Sequence, residues 1–217
     1  MTNLFAAAGL EANAPRPLAD RLRPKALNEV AGQVHIVGRD GTLTRLLASG
    51  RLPSLVLWGP PGCGKTTIAR LLANETKLAF EQLSAIFSGV QELRKSFDRA
   101  KIAREQGRGT LLFIDEIHRF NRSQQDSFLP HMEDGTITLV GATTENPSFE
   151  LNAALLSRAT VLTLNRLDDA ALDDLLKRAE AEVGRTLPLD ADARGTLIGM
   201  ADGDGRSILN LAEDVFS

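Results

Sequence analysis

An α/β fold, a mostly parallel sheet flanked by helices and followed by a small all-helical domain, is what three observations on the sequence predict. Five apolar runs of strand length, SLVLW (54–58), LAFEQL (78–83), TLLFID (110–115), TITLVGA (136–142) and TVLTL (160–164), are mostly separated by stretches of helical length. Strands that alternate with helices pair in parallel and carry helices on both faces. After residue 165 the pattern changes, and LDDAALDDLLKRAEAEVG (167–184), ADARGTLIGMAD (191–202) and GRSILNLAEDVFS (205–217) read as three amphipathic helices with no strand among them. That change predicts a boundary near Asn165, with an α/β domain over 17–165 and a helical domain over 166–217. Residues 1–16, rich in Ala and Asn and ending in APRP, read as a loosely ordered tail.

A chain of 217 residues with 43% hydrophobic content is long enough for one full α/β domain and a smaller companion. The net charge of -3 and the pI of about 5.7 give no global basic field, so a nucleic-acid contact would need a local patch. The single cysteine, Cys63, has no internal partner, and His35, His118 and His131 are not at metal-ligand spacing. A reducing, cytoplasmic setting is expected. No apolar run approaches the roughly 18 residues of a membrane span. The early LFAAAGL lacks a basic flank and is followed by Glu11, which argues against a signal peptide or a membrane anchor.

The strand SLVLW runs into GPPGCGKTT (59–67), which fits the G-x-x-x-x-G-K-[ST] pattern, and then into the helical TIARLLANET. A loop of Gly59, Pro60, Pro61, Gly62, Cys63 and Gly64 can wrap main-chain N–H groups around an anion. The helix that opens with Lys65, Thr66 and Thr67 adds the positive end of its dipole. Lys65 would reach the β- and γ-phosphates of ATP, and Thr66 would hold Mg2+. Cys63 admits two readings: a thiol made reactive by the anion site, or a small residue at an unconstrained position.

The strand TLLFID ends in two adjacent carboxylates, Asp115 and Glu116. Successive side chains of a strand point to opposite faces, so the two acids can serve two partners. Asp115 would bind the Mg2+ shell, while Glu116 would activate the water that attacks the γ-phosphate. That pairing predicts hydrolysis beyond mere binding.

With both motifs placed, the chain resembles the AAA+ ATPases, and more closely the replication-associated recombination protein A family, relatives of clamp-loader subunits. The stretches that carry the resemblance are PLADRLRPKALNEVAGQ (17–33), LWGPPGCGKTTIAR (57–70), FIDEIHRFNRSQQDSFLPHMEDGTITLVGATTENPSFELNAALLSRA (113–159) and ADGDGRSILNLAE (201–213). The resemblance implies that RLRPKALNEVAGQ lies against adenine, with Arg21, Arg23, Val30 and Gly32 as candidates. It implies that Thr144, with Asn146 close by, acts as sensor 1 on the γ-phosphate, although TTENP also suits a plain turn. Arg158 in LLSRA is similar to the finger that enters a neighbouring subunit's site. Without the resemblance it reads as a surface arginine. Arg206 in GDGRSILN looks like sensor 2 on the lid.

The same resemblance implies a DNA replication and recombination factor acting at stalled or damaged forks, a homo-oligomer associated with the nucleoid. Single-strand binding protein or a sliding clamp would be its partners, and TNLF near the start is similar to sliding-clamp ligands. The helical stretch 90–108 places Val90, Leu93, Phe97 and Ala100 on one face and Arg94, Lys101 and Arg108, seven apart, on another. That second face suits either DNA phosphates or solvent. NRSQQDSFLPHMEDG reads as a helix capped by Asn121 and Gln124, bent at Pro130 and ended at Gly135. Members of the family continue past the lid into a region that assembles the ring, whereas this sequence stops at Ser217, which leaves assembly open. A clamp-loader subunit, a branch-migration motor and a nucleotide-gated binding module that barely hydrolyses are the competing functions.

Overall fold

The structure, a computed structural model, describes residues 16–50 and 52–217. The predicted tail and TNLF lie almost entirely outside the described residues. An N-terminal segment with α1 (Leu18–Arg21), α2 (Val34–Val37) and α3 (Thr42–Ala48) leads into β1 (Leu55–Trp58) and α4 (Lys65–Glu75). There follow β2 (Ala79–Ser84), α5 (Val90–Glu105), β3 (Thr110–Asp115), α6 (Arg122–Asp126), α7 (Leu129–Glu133) and β4 (Ile137–Thr143). Short helices α8 (Pro147–Glu150) and α9 (Ala153–Leu156) precede β5 (Thr160–Thr163), and α10 (Asp169–Val183), α11 (Ala191–Ala201) and α12 (Gly205–Phe216) complete the chain.

As expected from an alternating α/β pattern, all four pairings among the five strands are parallel, and the sheet order is β2-β3-β4-β1-β5. The period of two divides each central strand between two cores. Leu55, Leu57, Leu111, Phe113, Val140 and Ala142 pack with Ile68 and Leu72 of α4 on one face. Val56, Leu112, Ile114 and Leu139 pack with Phe97 of α5 and with Phe128 on the other. The edge strands β2 and β5 are only partly buried, as edge strands commonly are.

The three helices after residue 165 form their own apolar cluster around Leu172, Leu176, Ile208 and Ala212, and Leu18 of α1 is buried in it. Each of the three starts on an aspartate, Asp168, Asp190 or Asp204, whose carboxylate accepts a first-turn backbone N–H. No helix among the described residues is long and apolar enough to cross a membrane.

Three local expectations change. The stretch 121–135 forms two short helices, because proline clashes with the carbonyl four residues back and is accommodated in the first turn of a new helix, α7. Val90, expected on the core face, is 52% exposed because it opens α5 beyond the sheet. Arg108 leaves the helical face of Arg94 and Lys101: α5 ends at Glu105 and Gly107, at φ 77°, turns the chain away.

Candidate functional site

The order β3-β4-β1 brings three strand ends together at the carboxyl edge of the sheet, where α/β folds bind ligands. The loop Gly59–Gly64 follows β1, Asp115 and Glu116 end β3, and Thr144 follows β4. They share a cavity of about 260 Å³ that is also lined by the N-terminal segment and by the start of α12.

At the phosphate end, Gly64 at φ 103° is the residue before α4, a conformation that side chains other than glycine rarely adopt. Gly62, at φ 67°, lies so close to Asp204 that a Cβ would come within 1.9 Å of the carboxylate. Lys65 is buried, and its Nζ donates to the carbonyls of Gly59 and Pro60 at 2.7 Å each. The ammonium is thereby held over the loop that would receive phosphate. Thr66 and Thr67 line the cavity with Pro61, Gly62, Cys63 and Gly64. Burial pushes the Cys63 thiol up, against the nearby Lys65 ammonium, so the thiolate is disfavoured and the packing reading of Cys63 gains support.

Asp115 and Glu116 both line the cavity, but pleating does not separate them. Glu116 has left the strand: at φ 54° and ψ 45° it occupies the left-handed region, which is costly for a side chain of this size. Its Oε2 lies 3.3 Å from His118 Nδ1, and Thr144 Oγ1 donates to the same oxygen at a long 3.5 Å. His118 Nδ1 is in turn 2.9 Å from Thr143 Oγ1. A strained backbone and a histidine–threonine support thus fix the Glu116 carboxylate, whereas His131 packs against the Phe97 ring at 4.2 Å.

Thr66 and Asp115 offer hydroxyl and carboxylate oxygens at the rim of the phosphate loop. Mg2+ takes such a donor set when phosphate oxygens complete the shell. Among the described residues no group of three or more His, Cys, Asp or Glu forms a metal cage of its own. The residues present therefore fit a metal that arrives with its nucleotide.

The opposite end of the cavity, where the N-terminal segment meets the helical domain, is aliphatic. Ala19, Leu22 and Val30 face Leu167, Leu175 and Leu209 of the helical domain, with Arg23 at the rim. Of the residues expected there, Arg23 and Val30 reach the cavity. Gly32 packs on Leu167 and Ala171 outside it, and Arg21 pairs with Glu182 on α10. Arg206 lines the cavity from the first turn of α12, and its guanidinium has no partner among the described residues. Gly205 N–H donates to Gly62 O at 3.3 Å, so the lid helix touches the phosphate loop directly.

Asn146 is not part of the cavity. Its side chain accepts from Ser148 N–H and caps α8. Arg158 also lies outside it, bound to Glu133 at 2.6 Å and 40% exposed. Sequence reasoning missed the apolar wall of the cavity and the placement of Asp204 against Gly62 and of His118 against Glu116. The signal for His118 was its position two residues past Glu116. The apolar wall left no local signal, since its residues come from both ends of the chain.

The model of the ATPase family associated with various cellular activities (AAA) matches residues 55–167. The replication-associated recombination protein A of Coxiella burnetii is 48% identical over 202 residues, covering 91% of this chain and 46% of that protein. Its counterpart in Escherichia coli K12 is 47% identical over 206 residues, covering 93% and 46%. This chain spans about half the length of the curated relatives it matches. Among solved structures, the Thermotoga maritima RuvB Holliday junction branch migration motor superposes with a TM-score of 0.72 at 32% identity, covering 88% of this chain and 64% of that one. With strand ends that assemble a phosphate loop, an acid pair and a lid arginine around one cavity, and a family match over more than half its length, this chain belongs to the AAA family of ATPases.

Proposed function

We propose that this chain is the ATP-hydrolysing module of a DNA replication and recombination factor that acts at stalled or damaged forks. The observation that carries this reading is the convergence of Lys65, Asp115, Glu116, Thr144 and Arg206 on one cavity, in a chain similar to replication-associated recombination proteins.

ATP would lie with its base between Val30, Leu22 and the lid leucines and its phosphates over Gly62, Gly64 and α4. Mg2+ supplies charge neutralisation on the phosphates when bound, held from the protein side by Thr66 and Asp115. Lys65 exchanges a loop carbonyl for phosphate oxygens. Glu116, oriented by His118 and Thr144, takes the proton of the attacking water. Arg206 joins the γ-phosphate to α12, so the lid angle follows the nucleotide state.

Arg158, which does not reach its own cavity, is assigned to the site of a second subunit, where such fingers contribute about 10³ to 10⁵ in rate. Turnover per subunit should therefore rise with protein concentration. A mixture of Glu116→Gln and Arg158→Ala chains, each nearly inactive alone, should regain activity. Turnover that is flat with concentration, with no recovery in the mixture, contradicts a finger in trans. DNA stimulation is assigned to the exposed Arg94 and Lys101 face of α5, and Arg94→Glu with Lys101→Glu should remove it. The likeness to RuvB favours a branch-migration motor as the second reading, which strand-exchange assays on a four-way junction separate from the first.

A further inference from the structure

Six charged side chains line the cavity: Arg23, Lys65 and Arg206 against Asp115, Glu116 and Asp204. A pocket proposed for a polyanion thus carries no net charge of its own. The hydrolysis proposed above uses two of the acids, Asp115 beside the metal and Glu116 beside the water. It gives no part to Asp204.

Asp204 is the residue before α12, and its Oδ1 accepts from Arg206 N–H at 2.7 Å and from Ser207 N–H at 3.0 Å. The positive end of α12 is therefore answered by a carboxylate of its own chain, and these two N–H groups are not left for phosphate. The same Oδ1 lies against the phosphate loop. A Cβ at Gly62 would come within 1.9 Å of it and within 2.2 Å of Asp204 Cγ, so only glycine lets the carboxylate approach this closely. Gly205 N–H, donating to Gly62 O at 3.3 Å, ties the two segments together. Capping alone does not account for the charge. Asp168 and Asp190 cap the other two lid helices outside this cavity, and a neutral asparagine caps as well as an aspartate. At Asp204 the negative charge stands where phosphates are proposed to lie, and it repels them.

We infer that Asp204 is a specificity-determining residue, which makes the site take ATP as its Mg2+ complex and reject the bare polyanion. The inference rests on the ATP-directed reading above and adds the form of nucleotide that the site accepts. Repulsion from a fixed carboxylate grows with the charge of the ligand. Metal-free ATP carries about four negative charges and its Mg2+ complex about two, so the bare form meets about twice the penalty. Arg206, two residues further on the same turn and without a partner among the described residues, supplies the attraction that remains once the metal has lowered the charge.

The test is calorimetric titration of ATP with excess Mg2+, and of ATP in EDTA, into the chain and its Asp204→Asn variant at matched ionic strength. Asparagine keeps the cap and removes the charge. The variant should bind metal-free ATP about 10-fold more tightly and the Mg2+ complex about 3-fold more tightly, log gains in a ratio of about two to one. The preference for the complex thereby narrows about 3-fold. Added salt should shrink both gains, and Asp204→Ser, a second neutral cap, should repeat the pattern. Asp190→Asn, the same exchange at a cap away from the cavity, should change neither affinity, and melting curves of all the variants control for folding. Equal gains for the two forms, or no gain, overturn this role and leave Asp204 as a cap. Weaker binding of the Mg2+ complex overturns it in favour of a metal contact. A chain that binds ATP in neither form overturns the ATP-directed reading itself, and the role of Asp204 with it.

Discussion

The two ends of the cavity to which ATP is assigned, one proposed for the phosphates and one for the base, are built on opposite principles. The phosphate end consists of main-chain turns and polar side chains at the ends of three adjacent strands, each anchored in a core buried on both faces. The base end consists of aliphatic side chains from two segments separated by most of the chain, Leu22 and Val30 against Leu167, Leu175 and Leu209. Charge and strain concentrate at the first, dispersion and burial at the second. Specificity for triphosphate should therefore reside in the fixed half, and specificity for the base in the half that the lid can open.

Lys65→Ala should separate the halves most widely. Removing one partner of a charge pair should weaken binding of ATP and of inorganic triphosphate alike by about 100-fold or more, measured by calorimetry. His118→Ala should act on the phosphate end without touching binding. With the Glu116 carboxylate no longer held, kcat should fall about 10-fold while ATP affinity stays unchanged. Leu22→Ala should weaken ATP about 5-fold through lost apolar contact and leave inorganic triphosphate unaffected. Equal loss of both ligands would erase the proposed division.

The smallest effect lies in the lid itself. Arg194 bridges Asp173 at 2.6 Å and Glu180 at 2.9 Å, and Arg194→Ala should lower lid stability by about 1 kcal/mol, visible in the melting curve. Hydrogen bonds from Lys177 and Arg194 hold the Asp173 carboxyl below its ordinary range. Its contribution is therefore present above the ordinary carboxylate pKa of about 4 and is lost as pH falls through the folded value. Acid scans of the Arg194→Ala chain should show a weaker dependence.

The contrast also explains what the sequence makes legible. Contiguous motifs read well. Residues 61–67 of GPPGCGKTT and the acids at the end of TLLFID line the cavity, while Gly59 and Pro60 lie behind it and hold Lys65, and all five strands lie within one or two residues of their expected bounds. Periodicity located the lid helices, because their aspartate caps and apolar stripes are local features. The base wall was illegible because its members meet only after the lid folds back on the N-terminal segment. Glu116 lines the same cavity as Asp115, but strand alternation is not what puts it there, since its left-handed backbone is a tertiary constraint that alternation does not encode. Asn146 was drawn toward the γ-phosphate by its proximity to Thr144, yet its side chain caps α8. Phe87 reads as an ordinary apolar residue in the sequence, yet the fold leaves it 88% exposed.

The proposed hydrolysis depends most on Glu116 acting on water at a phosphate that Lys65 and the glycine loop would bind. Single-turnover hydrolysis by Glu116→Gln, alongside direct measurement of ATP affinity, addresses that step alone. The prediction is a rate lower by at least about 10²-fold with affinity preserved. Hydrolysis at the rate of the unaltered chain would contradict the assignment of Glu116 as the base.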